Sequence, residues 1–162
     1  MFERFGNFDS AEEINLTASG LKEEGDLESL KVLAKENGLD EYDAEDYMNG
    51  DIPELCTPLL AAMGKLDVEE EDLKPKEIMA DWLAYIRKQA AESEAICRAI
   101  RKKDKTLKGC IAALLGWSFK NQIPIDKEII NAANIKASKV TLGIPGMGTA
   151  KKIIDEYYGG RR

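Results

Sequence analysis

The 162-residue sequence contains no histidine, the side chain that most often serves as a general base, metal ligand or catalytic-triad member. Catalytic pairs that join serine or cysteine to histidine are therefore excluded. Three cysteines are present, Cys56, Cys97 and Cys110, and their wide spacing forms neither a disulfide framework nor a CxxC metal motif. Since each lies among apolar neighbours, we expect buried free thiols and a reducing compartment.

Long apolar segments are missing as well. No run of 18 or more apolar residues occurs, which predicts that the chain does not enter a membrane. The first 20 residues carry four acidic side chains and lack the apolar stretch of a secretory signal. Hydrophobic residues make up 44% of the chain and charged residues 33%, which is typical of a packed globular protein. We expect a cytoplasmic protein of one domain or two small lobes.

The formal net charge of −7 is distributed unevenly along the chain. Residues 1–74 hold 21 acidic and 6 basic side chains, a net of −15. Residues 75–162 hold 9 acidic and 17 basic side chains, a net of +8. This asymmetry predicts an acidic helical lobe over 1–74 and a basic lobe over 75–162, or one compact domain in which the halves pair. A charged macromolecular partner would explain it equally well.

Helix-start signals recur along the chain and predict a mainly α fold. Ser10 and Glu13 form a capping-box pattern, and Asp26, Ser93 and Thr106 precede further apolar-periodic segments. We also expect a short acidic helix over residues 42–48, closed by Asn49-Gly50.

The remaining pattern predicts the rest of the architecture. A helix is expected to open at residues 51–53, and a charge-rich connector to follow it over 67–76. Residues 107–119 are apolar nearly all round, which predicts a central helix with Trp117 and Phe119, like Trp82, in the core. Residues 123–125 and 139–144 alternate as short strands, forming a hairpin or strand pair near the C-terminus, and residues 149–158 predict a last helix.

The sequence does not match known cofactor- and metal-binding motifs at the positions that define them. The glycine-rich segment 143–152 has the glycine spacing of a phosphate-binding loop, but Thr149 stands where the lysine belongs. Its likeness to a helix-hairpin-helix DNA motif is weak, because Ala150 follows the second glycine too closely. A calcium loop starting at Asp40 would place Tyr42 and Ala44 at ligand positions. We therefore expect no cofactor, no metal and no enzymatic activity.

Two charged sets are candidate partner-binding surfaces. The first is acidic, and its members are Asp40, Glu41, Asp43, Glu45, Asp46, Asp51, Glu54, Glu69, Glu70 and Glu71. The second is basic and suits nucleic-acid phosphates; it comprises Arg98, Arg101, Lys102, Lys103, Lys105 and Lys108. The same cations equally suit the C-terminus of a helix, where they complement the macrodipole.

The chain resembles a known family over nearly its whole length. The segments that carry the resemblance include FDSAEEIN (8–15), ELCTPLLAAMGKLDVE (54–69), AICRAIRKKDKTLKGC (95–110) and IIDEYYGG (153–160). They resemble the PcfK-like family of mobile-element proteins, whose members include the type II-A anti-CRISPRs. Residues 121–139 diverge from the family.

The resemblance implies a protein of the bacterial host cytoplasm that binds the RNA-guided type II CRISPR nuclease and blocks DNA cleavage. It supplies no catalytic residues. Because such nucleases hold nucleic acid in positively charged channels, the acidic set would act there as a substitute for phosphate. A plasmid or conjugation accessory protein that binds DNA or a transfer protein is the alternative. Neither hypothesis specifies an oligomeric state.

Overall fold

The computed structural model describes residues 3–159 and has a mainly α architecture, as the sequence predicts. These residues form nine helices and two short strands. In chain order the elements are α1 (Ala11–Glu23), α2 (Leu27–Glu36), α3 (Glu41–Asn49), α4 (Pro58–Leu73), α5 (Ile78–Glu92), α6 (Glu94–Arg101), α7 (Leu107–Lys120), β1 (Ile123–Pro124), α8 (Lys127–Ala132), β2 (Thr141–Leu142) and α9 (Met147–Gly159).

Side-chain caps explain where most of the helices begin. The Ser10 hydroxyl accepts a hydrogen bond from the Glu13 amide, and Thr106 accepts one from the Gly109 amide at the start of α7. Each bond satisfies an N–H group that has no partner within the helix. The predicted N-caps are therefore confirmed at Ser10, Asp26, Ser93 and Thr106.

The start of α4 corrects the sequence prediction, which placed it at residues 51–53. The helix begins at Pro58, where a missing N–H costs nothing, and residues 51–55 are irregular. Asn15 of α1 binds the chain between them: its amide donates to the Cys56 carbonyl at 2.8 Å, and its oxygen accepts from the Cys56 N–H at 3.0 Å. These bonds replace the helical ones that the prediction assumed.

The end of α4 also differs from the prediction, because the expected connector at 67–73 is helical. Neighbouring elements supply partners for its carboxylates. Arg87 of α5 binds Asp67 at 2.8 Å and Glu70 at 2.6 Å, while Glu69 accepts a hydrogen bond from the Leu107 N–H at 3.2 Å. The charge-rich sequence is therefore one face of a packed helix.

The buried apolar residues form two clusters that meet within α4. The N-terminal cluster joins α1, α2 and α3 to Ala61, whereas the C-terminal cluster begins at Ala62 and joins α4 to α5, α6, α7 and α9. The predicted boundary near Lys74-Pro75 lies just after the last residue of α4. Because Ala61 belongs to one cluster and Ala62 to the other, α4 itself is shared by both. The division into two lobes stays a prediction, and residues 1, 2 and 160–162 of those lobes lie outside the described residues.

Two glycines allow α2 and α4 to approach within backbone contact. Gly38 follows α2 with φ of +69°, and Gly64 lies inside α4. A Cβ on Gly38 would collide with the Gly64 carbonyl, and a Cβ on Gly64 would collide with the Asn37 carbonyl. This contact between α2 and α4 lies where the two clusters meet, a region called the seam below. It requires residues without a side chain at positions 38 and 64.

The helix α7 is less central than its composition predicts. Leu107, Cys110 and Leu114 are buried in the C-terminal cluster, whereas Leu115 is 55% exposed and Phe119 is 76% exposed. The predicted core position of Phe119 is wrong. No other element of the described residues covers this side of the helix, so its apolar face is open to solvent.

The C-terminal region contains the predicted strand pair. β1 and β2 are antiparallel, with Ile123 opposite Leu142 and Pro124 opposite Thr141. They do not form a tight hairpin, since α8, which the sequence analysis did not predict, lies between them. The last helix, α9, starts at Met147, two residues before its predicted start.

All three cysteines are buried free thiols, which confirms the sequence prediction. Burial raises the pKa of Cys56 and of Cys110 from 9.0 to about 12. The pKa of Lys65 moves the other way, from 10.5 to about 8, because burial disfavours the ammonium.

These thiols predict a loss of stability in alkali. The unfolded chain releases its thiol protons near pH 9 and the folded chain only near pH 12, so the stability present below pH 9 is lost between these values. Each thiol contributes about 1.4 kcal/mol per pH unit in this window. In urea unfolding between pH 9 and 10.5, the free energy of unfolding should therefore change with a more negative slope in the wild type than in C56A/C110A. Lys65 raises the free energy of unfolding between pH 8 and 10.5 in both proteins, because the folded chain releases this proton before the unfolded chain does. Parallel plots of the free energy of unfolding against pH would therefore contradict the assignment to thiols.

Candidate partner-binding surfaces

The seven carboxylates of residues 40–54 form the acidic surface, a term used below for Asp40, Glu41, Asp43, Glu45, Asp46, Asp51 and Glu54. Asp40 caps α3 by accepting a hydrogen bond from the Tyr42 amide at 2.9 Å. Ala44 and Tyr47 point into the N-terminal cluster, and Gly50 ends the helix with φ of +84°. The helical period therefore places most of the carboxylates on the outside.

Exposure differs among the members of the acidic surface. Asp43 and Glu45 are half-buried, and Glu45 binds Lys31 of α2 at 2.5 Å. The other five carboxylates are exposed, and residues 40–54 contain neither lysine nor arginine. The first seven acidic candidates thus lie at the N-cap of α3, along α3, and on the irregular segment that follows it.

The remaining acidic candidates lie on α4 and differ from this surface. Glu69 is half-buried, and burial raises its pKa, an effect that the nearby Lys65 ammonium opposes. Glu70 binds Arg87, as described above. Glu71 is exposed and lines a groove between α2 and α4 with Glu36. A partner would meet one free carboxylate here rather than three.

An aromatic residue that was not among the predicted candidates lies within the acidic surface. Tyr42 is 72% exposed, although it lies in a helix that packs on a core. The helical period predicts this position, since residues 44 and 47 define the inner face of α3 and 42 lies opposite. Aromatic residues are enriched where protein interfaces gain most of their binding energy.

Half of the basic candidates have side chains that contact other groups of the protein. Arg98 binds Glu12 at 2.5 Å and Glu94 at 2.8 Å, which ties α6 to the start of α1. The Lys105 ammonium lies 5.0 Å from the centre of the Tyr157 ring. Lys102, Lys103 and Lys108 are exposed.

Arg101 is the clearest departure from the expected basic surface, because only 1% of it is exposed. Its guanidinium donates to the Phe8 carbonyl at 3.2 Å, the Ala61 carbonyl at 3.3 Å and the Asn37 side-chain oxygen at 2.6 Å. Burial lowers its pKa to about 10, so it remains charged. Arg101 thus links the two core clusters and does not face a partner.

Lys65 lies in the same seam and is fully buried. Its ammonium donates to three carbonyls at the end of α6 and beyond it: Ile100 at 2.8 Å, Lys102 at 2.6 Å and Lys105 at 2.5 Å. The Ile100 carbonyl belongs to the last turn of α6, where carbonyls lack intrahelical partners, and the other two carbonyls lie in the turn between α6 and α7. Lys65 therefore holds the basic turn in place from inside.

The glycine-rich segment 143–152 leads from β2 into α9. Its Pro145 and Ala150 are buried, and the Lys151 ammonium lies 5.3 Å from the centre of the Tyr85 ring. Lys151 is thus directed towards α5. Among residues 3–159, no group of three or more histidine, cysteine, aspartate or glutamate side chains is arranged to hold a metal ion.

Comparisons with known proteins give no relative: no family model, curated protein or solved structure matches the chain significantly. Within residues 3–159, none of the helices combines the length and the apolar character needed to cross a lipid bilayer.

Proposed function

We propose that this protein inhibits an RNA-guided type II CRISPR nuclease by binding it and blocking DNA cleavage. The family resemblance of the sequence suggests the partner. The structural observation that supports the proposal is the acidic surface, where five of the carboxylates within 15 consecutive residues are exposed.

Electrostatic complementarity gives the proposal its mechanism. The nuclease holds nucleic acid in positively charged channels and reads a short DNA motif with arginines. A folded helix that presents carboxylates offers these cations fixed counter-charges, so α3 takes the place of DNA phosphates. Long-range attraction then speeds the encounter, and this effect weakens as salt increases.

Tyr42 adds a second type of contact to the same surface. A guanidinium stacks favourably on an aromatic ring, and Tyr42 stands exposed one helical turn before the exposed Asp46. An arginine of the nuclease would therefore find a ring and a carboxylate side by side. This combination favours arginine over lysine in the complementary surface.

The alternative, a DNA-binding accessory protein, relies on the basic candidates and gains less support. Of the six, Arg101 is buried and Arg98 is shared by two carboxylates. Three exposed lysines remain near the turn after α6. A gel-shift assay with duplex and single-stranded DNA separates the two functions, because salt-sensitive DNA binding by the protein alone favours the accessory role.

Charge reversal of the acidic surface tests the proposal. The variant E41K/D46K/D51K changes three exposed carboxylates on and after α3. Each reversal replaces attraction by repulsion, so we expect at least a tenfold rise in the concentration that halves DNA cleavage, or about 1.4 kcal/mol. The variant's inhibition should also depend less on salt concentration.

The matched control is E23K/E92K/E156K, which makes the same change in net charge at exposed positions of α1, α5 and α9. It should inhibit like the wild type. Equal weakening by both variants would reduce the effect to net charge. Unchanged inhibition and salt dependence in the first variant would refute binding through the acidic surface.

A further inference from the structure

An apolar groove with a rim of lysines lies between the connection of α4 to α5 and the first turns of α7. Leu73, Met79 and Ile111 form its apolar lining, and its volume is about 230 Å³. Leu73 is 40% exposed and Met79 37% exposed, which is high for large apolar side chains at a helix junction. The fold leaves these side chains uncovered.

The exposed face of α7 continues this groove. Leu115 follows Ile111 by one turn and Phe119 follows by two, so the three residues form a stripe along the helix. From Ile111 to Phe119 the stripe is about 12 Å long, at a rise of about 1.5 Å per residue. An apolar track of this length matches two turns of a partner helix with anchors at positions i, i+4 and i+7.

The wall of the groove is a strained backbone. Lys74 and Glu77 have φ of +47° and +54°, which side-chain-bearing residues rarely adopt, and Pro75 lies between them. Such conformations persist where the surrounding structure enforces them, and they are concentrated at ligand clamps and other functional sites.

The charges around the groove specify its occupant. The lining includes Lys74, Lys76 and Lys108, and a fourth exposed lysine, Lys120, ends α7. This cationic rim contrasts with the net charge of −7 of the whole chain. A partner that places carboxylates beside an apolar stripe satisfies both the rim and the lining.

We propose that this groove binds an acidic amphipathic helix of another protein. Aliphatic side chains between the lysines favour a peptide over nucleic acid, whose phosphate backbone gains nothing from Leu73 or Ile111. The site is independent of the acidic surface, since it lies on α4, α5 and α7 rather than on α3. The protein therefore carries two docking surfaces of opposite charge.

Synthetic peptides test the proposal directly. The probe is a fluorescein-labelled 20-residue helix with leucine at i, i+4 and i+7 and glutamate on its other face, and its matched control carries lysine in place of each glutamate. Fluorescence anisotropy should show that the glutamate peptide binds at least tenfold more tightly than the lysine peptide. Its affinity should fall as salt concentration rises, and amide NMR shifts should map to α7 and residues 73–79.

Surface variants locate the site. L115S/F119S and K108E change exposed side chains and should each weaken the glutamate peptide at least tenfold. The controls L16S and K88E, at exposed positions of α1 and α5, should leave binding unchanged, and circular dichroism verifies the fold of all four.

Other outcomes overturn the proposal. Failure of the glutamate peptide to bind, equal binding of both peptides, or equal weakening by the control variants would each exclude an acidic helix at this groove. Self-association in analytical ultracentrifugation that F119S abolishes would instead assign the face to a second copy of the chain. DNA or RNA binding that K108E abolishes would assign it to nucleic acid.

Discussion

Replacing Gly64 with alanine is expected to lower the free energy of unfolding by about 3 kcal/mol, the upper range for overpacking a tight contact. The added Cβ collides with the Asn37 carbonyl, and main-chain atoms cannot rotate away as a side chain does. α2 and α4 must separate to relieve the collision, which opens the seam between the two core clusters. Urea unfolding followed by far-UV circular dichroism measures the loss.

The matched control is G20A, in the interior of α1. Nothing lies within 4 Å of a Cβ at Gly20, so this substitution adds a better helix former without a collision. We expect G20A to increase stability by about 0.5–1 kcal/mol. If both variants changed stability in the same direction, the close approach at Gly64 would not govern the packing of α4.

Replacing Lys65 with methionine is expected to cost about 2–3 kcal/mol, because three carbonyls each lose a hydrogen bond while the cost of burying the ammonium, which lowers its pKa, is relieved. Methionine retains the apolar stem, so the substitution isolates the ammonium. Nothing else in α4 replaces the bonds to Ile100, Lys102 and Lys105. Glu69 also loses the cation that opposes the rise of its pKa.

The control for this variant is K88M, at an exposed position of α5. It should change stability by less than about 0.5 kcal/mol, as surface substitutions usually do. Hydrogen exchange adds a local measurement: amides of α6 and of residues 102–107 should exchange faster in K65M than in the wild type. A K65M protein within about 1 kcal/mol of the wild type would contradict the structural role of the ammonium.

Much of the fold could be predicted because it depends on interactions between residues that are close together in the sequence. N-caps such as Ser10 and Thr106 act within a single turn, so their pattern is visible in the sequence. The same holds for the acidic surface, whose members are close neighbours along the chain. By contrast, the start of α4 depends on Asn15, which lies 41 residues from the Cys56 backbone that it binds.

The contacts in the seam between the clusters could not be predicted either, because they also join residues that are far apart in the sequence. Charged residues such as Lys65 and Arg101 are expected on the surface, and here carbonyls from distant segments satisfy them inside. Phe119 is the opposite case, since its apolar neighbours favour burial but its side chain is largely exposed. The lysine-rimmed groove likewise combines α7 with a connection some 30 residues earlier in the chain, a proximity that only the fold reveals.

An order-of-addition cleavage assay tests whether this protein inhibits the nuclease. The protein is added to a type II nuclease before guide RNA, after guide RNA, or after DNA, at low and high salt. We expect cleavage to be blocked when the protein precedes DNA and to be restored as salt rises, with E41K/D46K/D51K inactive at the same concentration. Full cleavage by several nuclease orthologues, whatever the order of addition, would contradict it.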